Sequence, residues 1–264
     1  MTNEYIPFKS EIKAVIKHTE IEYTFRMAYH KKDVLPGQFF EVSLPKFGEA
    51  PISVSGIGED FIDFTIRRVG VVTDEIFTKY VGDTLFLRGP YGNGFDVELY
   101  KNKQLVIMAG GTGLSPVRGV VDYFASNVDQ TKGFTLITGF KSPSDVLFKD
   151  DLKRWETQAS VILTVDSAPE GYEGKTGLVT KYVPDLVFEN PEDVAVIVVG
   201  PPMMMHFGVQ AFLARGLKEE QIWISQERKM CCGIGKCGHC KIDDVYICLD
   251  GPVFNYTKGK HLID

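Results

Sequence analysis

Apolar and polar positions alternate with a period of two through the N-terminal part of the chain. Ile21, Tyr23, Phe25 and Met27 share one rhythm, and Phe61, Ile62, Phe64 and Ile66 repeat a similar one. Alternation of this kind predicts half-buried strands. From Ile12 to Leu87 the strands are short, and Pro36-Gly37, Gly56, Gly58-Glu59-Asp60, Gly82-Asp83 and Gly89-Pro90 punctuate them. Turns at such intervals predict a small antiparallel barrel. A short helix over Asp74 to Tyr80, capped by Thr73 or Asp74, is the one helical stretch expected there.

At Lys103 the rhythm changes to apolar runs followed by helical spacing. Gln104 to Ala109 is unbroken by polar residues after its first position, as a parallel strand covered on both faces requires. Further strands are expected at Phe134 to Thr138, Val161 to Val165, Val194 to Val199 and Ile222 to Ser225. Helices are expected at Ser144 to Trp155, Thr176 to Val183 and Pro202 to Arg215, and one after Ser115, with Ser115 as its cap and Pro116 at its first position. Strand–helix alternation predicts an open parallel sheet with a ligand beyond the carboxyl ends of its strands. The fold class is therefore β followed by α/β: residues 1–100 a barrel, 101–225 a Rossmann-like domain, and 226–264 a small C-terminal module.

Composition narrows the function. With 44% hydrophobic residues in 264, the chain can bury a full core, and its net charge of -6 with no basic run excludes a nucleic-acid binder. No apolar run is long enough to span a bilayer, and Met1 to Tyr5 carry no basic or apolar leader pattern. A cytoplasmic chain with metal-directed cysteines is expected.

Those cysteines form the sharpest motif. Cys232, Cys237 and Cys240 give C-x4-C-x2-C, and seven further residues separate Cys240 from Cys248. This is the plant-type [2Fe-2S] spacing, in which one curved loop supplies three thiolates and the fourth returns from elsewhere. Gly233, Gly235 and Gly238 suit such a loop, because glycine reaches positive φ freely and brings backbone N–H groups near the sulfurs. Zinc competes, but only Cys237 and Cys240 form a CxxC knuckle. Five cysteines is an odd count for a disulfide framework, and Cys231 is the surplus thiol. His239 lies between two ligands and reads as a loop residue, since a Rieske site needs a second histidine nearby.

Three barrel pieces carry cofactor-binding potential: Ala50 to Ser55, Arg67 to Thr73, and Arg88 to Phe95. In the second, a glycine and a threonine hydroxyl precede a short helix, the layout for a phosphate at a helix N-terminus. In the Rossmann-like part, Gly110-Gly111-Thr112-Gly113 is a weak nucleotide motif by itself, and its context, a strand before and a capped helix after, strengthens it considerably. Val199-Gly200-Pro201-Pro202-Met203 ends another strand of the same sheet. Met203, Met204 and Met205 are read mostly as core, and Trp155 and Trp223 as packing residues.

Read in order, these pieces resemble the ferredoxin-NADP reductase superfamily across nearly the whole chain. A compact cluster loop directly after the nucleotide domain is similar to the electron-transfer subunits of dihydroorotate dehydrogenase, sulfhydrogenases and anaerobic sulfite reductase. The ending Cys248 to Lys258 looks most like the anaerobic sulfite reductase subunit. The resemblance implies FAD in the barrel, with Pro51, Ile52, Ser53 and Val54 along the flavin ring and Ser53 facing its N5 as the catalytic contact. Ala50 stands where the family carries arginine, and Arg67 or Arg68 is expected to supply that charge. Gly70, Val72 and Thr73 would bind the pyrophosphate. Gly111, Thr112, Gly113 and Pro116 would cradle NAD(P)H, with Gly200, Pro201 and Met203 closing on the nicotinamide. NADH is favoured, since no arginine pair follows Gly139-Phe140-Lys141-Ser142.

The implied activity is two-electron oxidation of NADH by flavin, followed by single-electron delivery through a [2Fe-2S] cluster. The implied partner is a sulfite reductase with iron-sulfur and sirohaem subunits. A hydrogenase, a sulfur reductase or a dihydroorotate dehydrogenase is the alternative, and a nucleotide- or redox-sensing module without catalysis is the alternative outside enzymes.

Overall fold

The computed structural model describes residues 5–31 and 33–262. Met1 to Glu4, most of the stretch read for a leader, lie outside the described residues, as do Ile263 and Asp264 of the last module. The chain forms two compact units, Met1–Phe95 with Glu227–Val253, and Asp96–Gln226 with Phe254–Asp264. These units do not follow chain order: the cysteine segment belongs with the barrel, and the last residues return to the α/β unit.

In the first unit β1 (Phe8–Lys17), β2 (Glu22–Ala28), β3 (Phe39–Leu44), β4 (Gly48–Ile57), β5 (Phe61–Arg67) and β6 (Thr84–Tyr91) close an antiparallel barrel in the order β1-β2-β5-β4-β3-β6. The alternation seen in the sequence is the cause: Phe25, Met27, Phe64 and Ile66 point inward together with Ile12, Phe40 and Val42 and are buried. Closure leaves no edge strand to protect.

The helix expected at Asp74 to Tyr80 starts earlier, as α1 (Val71–Ile76) with Gly70 at its cap. Thr73 sits inside it, because its Oγ1 accepts the N–H of Val69 at 2.9 Å and of Gly70 at 3.0 Å and so pulls the preceding chain into the first turn. Asp83 Oδ2 then takes the Tyr80 N–H, which turns the chain where the helix was expected to continue.

In the second unit β7 (Gln104–Gly110), β8 (Gly133–Phe140), β9 (Ser160–Val165), β10 (Lys175–Thr176), β11 (Val194–Val199) and β12 (Ile222–Ser225) form a sheet, joined at one edge by β15 (Val253–Asn255), in the order β10-β9-β8-β7-β11-β12-β15. β7 and β11 are central and parallel, with Val194 opposite Gln104 and Val199 opposite Ala109. Their continuous apolar runs follow from cover on both faces, which α2 (Leu114–Ser126), α3 (Lys149–Glu156) and α4 (Pro202–Ala214) help to provide.

Three helix expectations are corrected. α2 begins at Leu114 with Gly113 as cap and Ser115 as its second residue, because Gly111–Gly113 is a tight 3-10 turn running straight into the helix. Pro116 is therefore the third residue, still within the first turn where its missing N–H costs nothing. The region from Ser144 to Trp155 is interrupted at Phe148, whose φ of 53° starts α3 afresh, since Val146, Leu147 and Phe148 are all buried and no single helix face holds three consecutive residues. Thr176 to Val183 forms β10 and a 3-10 turn at Val179–Tyr182, because Gly177 takes φ 110° between them. The cysteine segment carries β13 (Lys241–Ile242), β14 (Val245–Tyr246) and α5 (Ile247–Asp250), and α6 (Tyr256–Gly259) follows β15. Among the described residues no helix is long and apolar enough to cross a membrane.

Candidate functional site

The cysteine loop is shaped as its glycines require. Gly233, Gly235 and Gly238 take φ of 75°, 67° and 82°. The turns between them aim the N–H groups of Ile234, Lys236 and Cys237 at Cys232 Sγ, at 3.5, 3.3 and 3.4 Å, and that of Gly235 at Cys248 Sγ, at 3.2 Å. Four N–H dipoles converging on two sulfurs suit thiolates that share their charge with a metal cluster. Cys232, Cys240 and Cys248 are buried, while Cys237 is exposed. The His239 backbone N–H, followed by the Cys232 side chain and the backbone N–H groups of Cys232 and Cys237, holds the Cys237 thiol below its ordinary value, and burial pushes Cys248 up to about 12. Cys237 lies beside Cys232, and Cys248 beside Cys240. Among the described residues no three His, Cys, Asp or Glu side chains surround a single-ion position. Four cysteines on one glycine-shaped loop and its return, with backbone N–H groups aimed at the sulfurs, are a donor set that fits an iron-sulfur cluster.

The barrel holds this segment in place. Asn93 donates from Nδ2 to Asp250 O at 2.8 Å and accepts the Val253 N–H at 3.1 Å, while its own N–H reaches Gly251 O at 2.6 Å. Gly92, at φ 71°, lies so close that a Cβ would sit 2.6 Å from Gly251 O. The piece Arg88 to Phe95, read from the sequence as a place for a cofactor, is thus the seam that carries the cysteine segment. Arg88 itself is buried: it donates to Glu49 twice, at 2.9 and 2.5 Å, to Tyr91 Oη at 3.3 Å, and to Cys231 O and Cys232 O at 2.5 and 2.6 Å. Sequence reasoning missed Arg88 and Asn93 as contacts of the cysteine segment, and Glu49 behind Arg88, because nothing in their spacing links them to residues some 140 positions away.

Glu41, on β3 beside Arg88, is 0% exposed, and neither carboxylate oxygen has a hydrogen-bond partner. Its nearest cation is Arg88 Nη2 at 3.9 Å. Burial raises its pKa from 4.5 to about 7, against the pull of Arg88 and with help from Glu49 and Cys232. Its folded pKa lies above its unfolded one, so its contribution to stability is complete below pH 4.5 and is lost as pH rises through 7. Glu41→Gln is therefore expected to raise the thermal midpoint at pH 8, by roughly 3 kcal/mol of stability at most, and to leave it unchanged at pH 4.5. Calorimetry at both pH values checks this, and an equal effect at the two would refute it.

The flavin-motif residues Pro51, Ile52, Ser53 and Val54 lie on β4, with Ser53 opposite Phe39 of β3. Gly70, Val72 and Thr73 form the start of α1, and a Cβ at Gly70 would meet nothing within 4 Å. Open space over exposed backbone at Gly70 leaves room for an anion, whereas the Thr73 hydroxyl is occupied within the turn and gives its proton to Gly70 O at 3.0 Å. Arg67 pairs with Glu22 at 3.2 Å and Arg68 with Asp74 at 2.8 Å. Both arginines are about half exposed and keep freedom to turn toward a ligand. All of these residues are in the first unit.

The nucleotide motifs meet in the second unit. β7 and β11 are neighbours, so the turns at their carboxyl ends, Gly111 to Gly113 and Gly200 to Pro201, lie side by side. A Cβ at Gly113 would be 2.6 Å from Val199 O and 2.7 Å from Gly200 Cα. Ser115 Oγ, in the first turn of α2, is buried without a partner. Met203 is 64% exposed, while the Met204 sulfur lies where Cβ atoms on Gly110 and Gly200 would be, at 2.3 and 2.8 Å. Met204, passed over as core, is the methionine that packs on both glycine turns. Its neighbours Gly110 and Gly200 were the available signal.

Comparison with known proteins agrees with this geometry. Residues 107–210 match the family model of the oxidoreductase NAD-binding domain, and residues 227–258 that of the iron-sulfur cluster binding domain of dihydroorotate dehydrogenase B. The chain is 33% identical to sulfhydrogenase 1 subunit gamma of Pyrococcus furiosus, over 96% of this chain and 92% of that protein. It is 30% identical to a probable dihydroorotate dehydrogenase B (NAD(+)) electron transfer subunit of the same organism, over 95% and 93%. Among solved structures, a chain of the NADH-dependent reduced ferredoxin-NADP oxidoreductase superposes with a TM-score of 0.78 at 25% identity, covering 94% of this chain and 88% of that one.

Proposed function

Since the chain belongs to the ferredoxin-NADP reductase superfamily, among the flavin iron-sulfur electron-transfer subunits, we propose that it oxidises NADH and delivers single electrons through a [2Fe-2S] cluster to a partner reductase. The observation that carries this reading is the cysteine loop, whose four N–H groups converge on the sulfurs of Cys232 and Cys248.

FAD held by these residues would supply chemistry that couples two-electron oxidation of NADH to one-electron delivery. The chain's own residues bind and orient. Gly111, Thr112 and Gly113, with Ser115 and Pro116 in the first turn of α2, would hold the dinucleotide at the helix N-terminus, where backbone N–H groups favour an anion. Gly200, Pro201 and Met203 would close on the nicotinamide, and Met204 would form the floor beneath it. Ser53 would place its hydroxyl at flavin N5, between the main chain of Ile52 and Val54, with Pro51 at the strand's entry. Gly70, Val72 and Thr73 would shape the pyrophosphate turn, with Arg67 or Arg68 supplying the charge that Ala50 lacks. β4 carries Pro51 to Val54 and also Glu49, which grips Arg88 and through it the cysteine loop. One strand thus links the two proposed redox sites.

The acceptor is proposed to be a sulfite reductase with iron-sulfur and sirohaem subunits, on the likeness of Cys248 to Lys258. A sulfhydrogenase-type partner is the second reading, favoured by 33% identity across 96% of the chain. A cleft of about 660 Å³ lined by Arg88, Tyr91, Gly233, Cys248 and Leu249 opens beside the cysteine loop. Cytoplasmic residence is proposed with both.

Anaerobic titration of the purified chain with NADH, followed in the visible, tests the core of the proposal. Bleaching of both flavin and cluster bands is expected, at about two irons per chain, and zinc in place of iron or no spectral response would refute it. Adding sulfite, or elemental sulfur and protons, to the complex purified with its partners separates the two acceptors.

A further inference from the structure

We propose that Arg88 is a positioning residue for the cluster, and that its guanidinium, clamped by Glu49, raises the cluster's reduction potential. The inference rests on the reading of Cys232, Cys237, Cys240 and Cys248 as cluster ligands and goes beyond it by assigning a residue far away in sequence.

The geometry makes Arg88 unusual. Its side chain is 5% exposed, and two of its nitrogens donate to the carbonyls of Cys231 and Cys232, immediately at and before the first ligand. Carbonyls are weak partners for a buried cation, and a surface loop could satisfy them with water. A guanidinium committed here fixes the height and direction of the loop at the point where it enters the site. The fork is itself fixed from behind by the bidentate Glu49 contact, and by Tyr91. Gly233 adds a second constraint, since a Cβ there would fall 2.6 Å from the Tyr91 ring.

The charges are arranged with a direction. The cation faces the loop, and Glu49 lies behind it, 37% exposed and so partly screened by water. A cluster held by these four cysteines would become one unit more negative as a whole on gaining an electron. A buried positive group close by stabilises that form more than the oxidised one, and a half-exposed carboxylate behind it opposes this more weakly. Glu41, the other acid beside Arg88, has no hydrogen bond and leaves the fork to the loop.

The test uses three variants of the full chain, reconstituted anaerobically, with iron content measured first and the cluster midpoint potential second, by EPR-monitored titration. Arg88→Gln is expected to favour the oxidised cluster about tenfold, a shift of about 59 mV downward for one electron. Glu49→Gln, which keeps an acceptor but removes the opposing charge, is expected to shift it upward by less. Arg88→Lys, which keeps the charge, is expected to stay nearer the wild type than Arg88→Gln. Opposite signs separate an electrostatic role from a merely structural one, which would loosen the loop in all variants alike. Unchanged potentials, or shifts of one sign, in iron-loaded variants overturn the inference. If Arg88→Gln fails to take up iron, Glu49→Gln alone decides, by an upward shift or none. Wild-type protein that holds no iron overturns the underlying cluster reading instead.

Discussion

Cys232→Ser is expected to strip the iron-sulfur chromophore from the protein and to lower NADH-driven reduction of a protein acceptor by at least about 100-fold. Cys232 is the most heavily solvated of the sulfurs by backbone, taking the N–H groups of Ile234, Lys236 and Cys237. A serine alkoxide is a harder, more basic ligand than a thiolate, and three N–H groups spaced for sulfur at 3.3 to 3.5 Å would not close on an oxygen without moving the loop. NADH-driven reduction of a small artificial acceptor by the flavin itself should persist. That split separates loss of the cluster from loss of the whole protein. Cys231→Ser is the control: its carbonyl, not its sulfur, meets Arg88, so iron content should stay at the wild-type level. Iron and visible spectra check both, and a Cys232→Ser protein with full iron would remove Cys232 from the ligand set.

Gly113→Ala is expected to have the next largest effect, destabilising the α/β unit by ~1–3 kcal/mol and weakening NADH binding at least tenfold. The new methyl would meet Val199 O at 2.6 Å and Gly200 Cα at 2.7 Å, which are backbone atoms of the neighbouring strand end and cannot rotate away. The two glycine turns would be pushed apart, and both are proposed to face the nucleotide. Gly111→Ala is the informative contrast. At φ 55° with nothing within 4 Å, it should carry only the left-handed backbone cost of about 1 kcal/mol. Thermal melts and NADH titrations of the two variants check the difference. Gly113 itself lies at φ -62°, which any residue adopts, so equal destabilisation of both would overturn the close approach of the two turns as the reason for Gly113.

Much of this protein is legible in local pattern because the forces concerned are local. Alternation at Phe25, Met27, Phe64 and Ile66 commits those residues to one face of a strand, and the apolar runs at 104 to 109 and 194 to 199 demand cover on both faces. The cysteine spacing with Gly233, Gly235 and Gly238 likewise encodes a loop whose N–H groups turn inward, since positive φ at those positions is a property of the residues themselves. Local reading failed where a neighbour in space competed. Ser115 had the chemistry of a cap, but the turn Gly111 to Gly113 was already helical at its end and left the hydroxyl buried inside the first turn. Helical spacing from Ser144 to Trp155 gave way to the burial of Val146, Leu147 and Phe148.

What only the tertiary structure decided is the company that the cysteine loop keeps. In sequence it follows the nucleotide domain; in space it belongs with the barrel, anchored by Asn93 and by Arg88, and the chain then goes back to add β15 to the other unit's sheet. No periodicity could announce this, because the bonds that fix it join a side chain on one strand to backbone carbonyls more than a hundred residues later. A carbonyl carries no mark of its partner in the residue that bears it. The cysteines and their spacing were written in the sequence, whereas the arginine that holds their loop was brought there by folding.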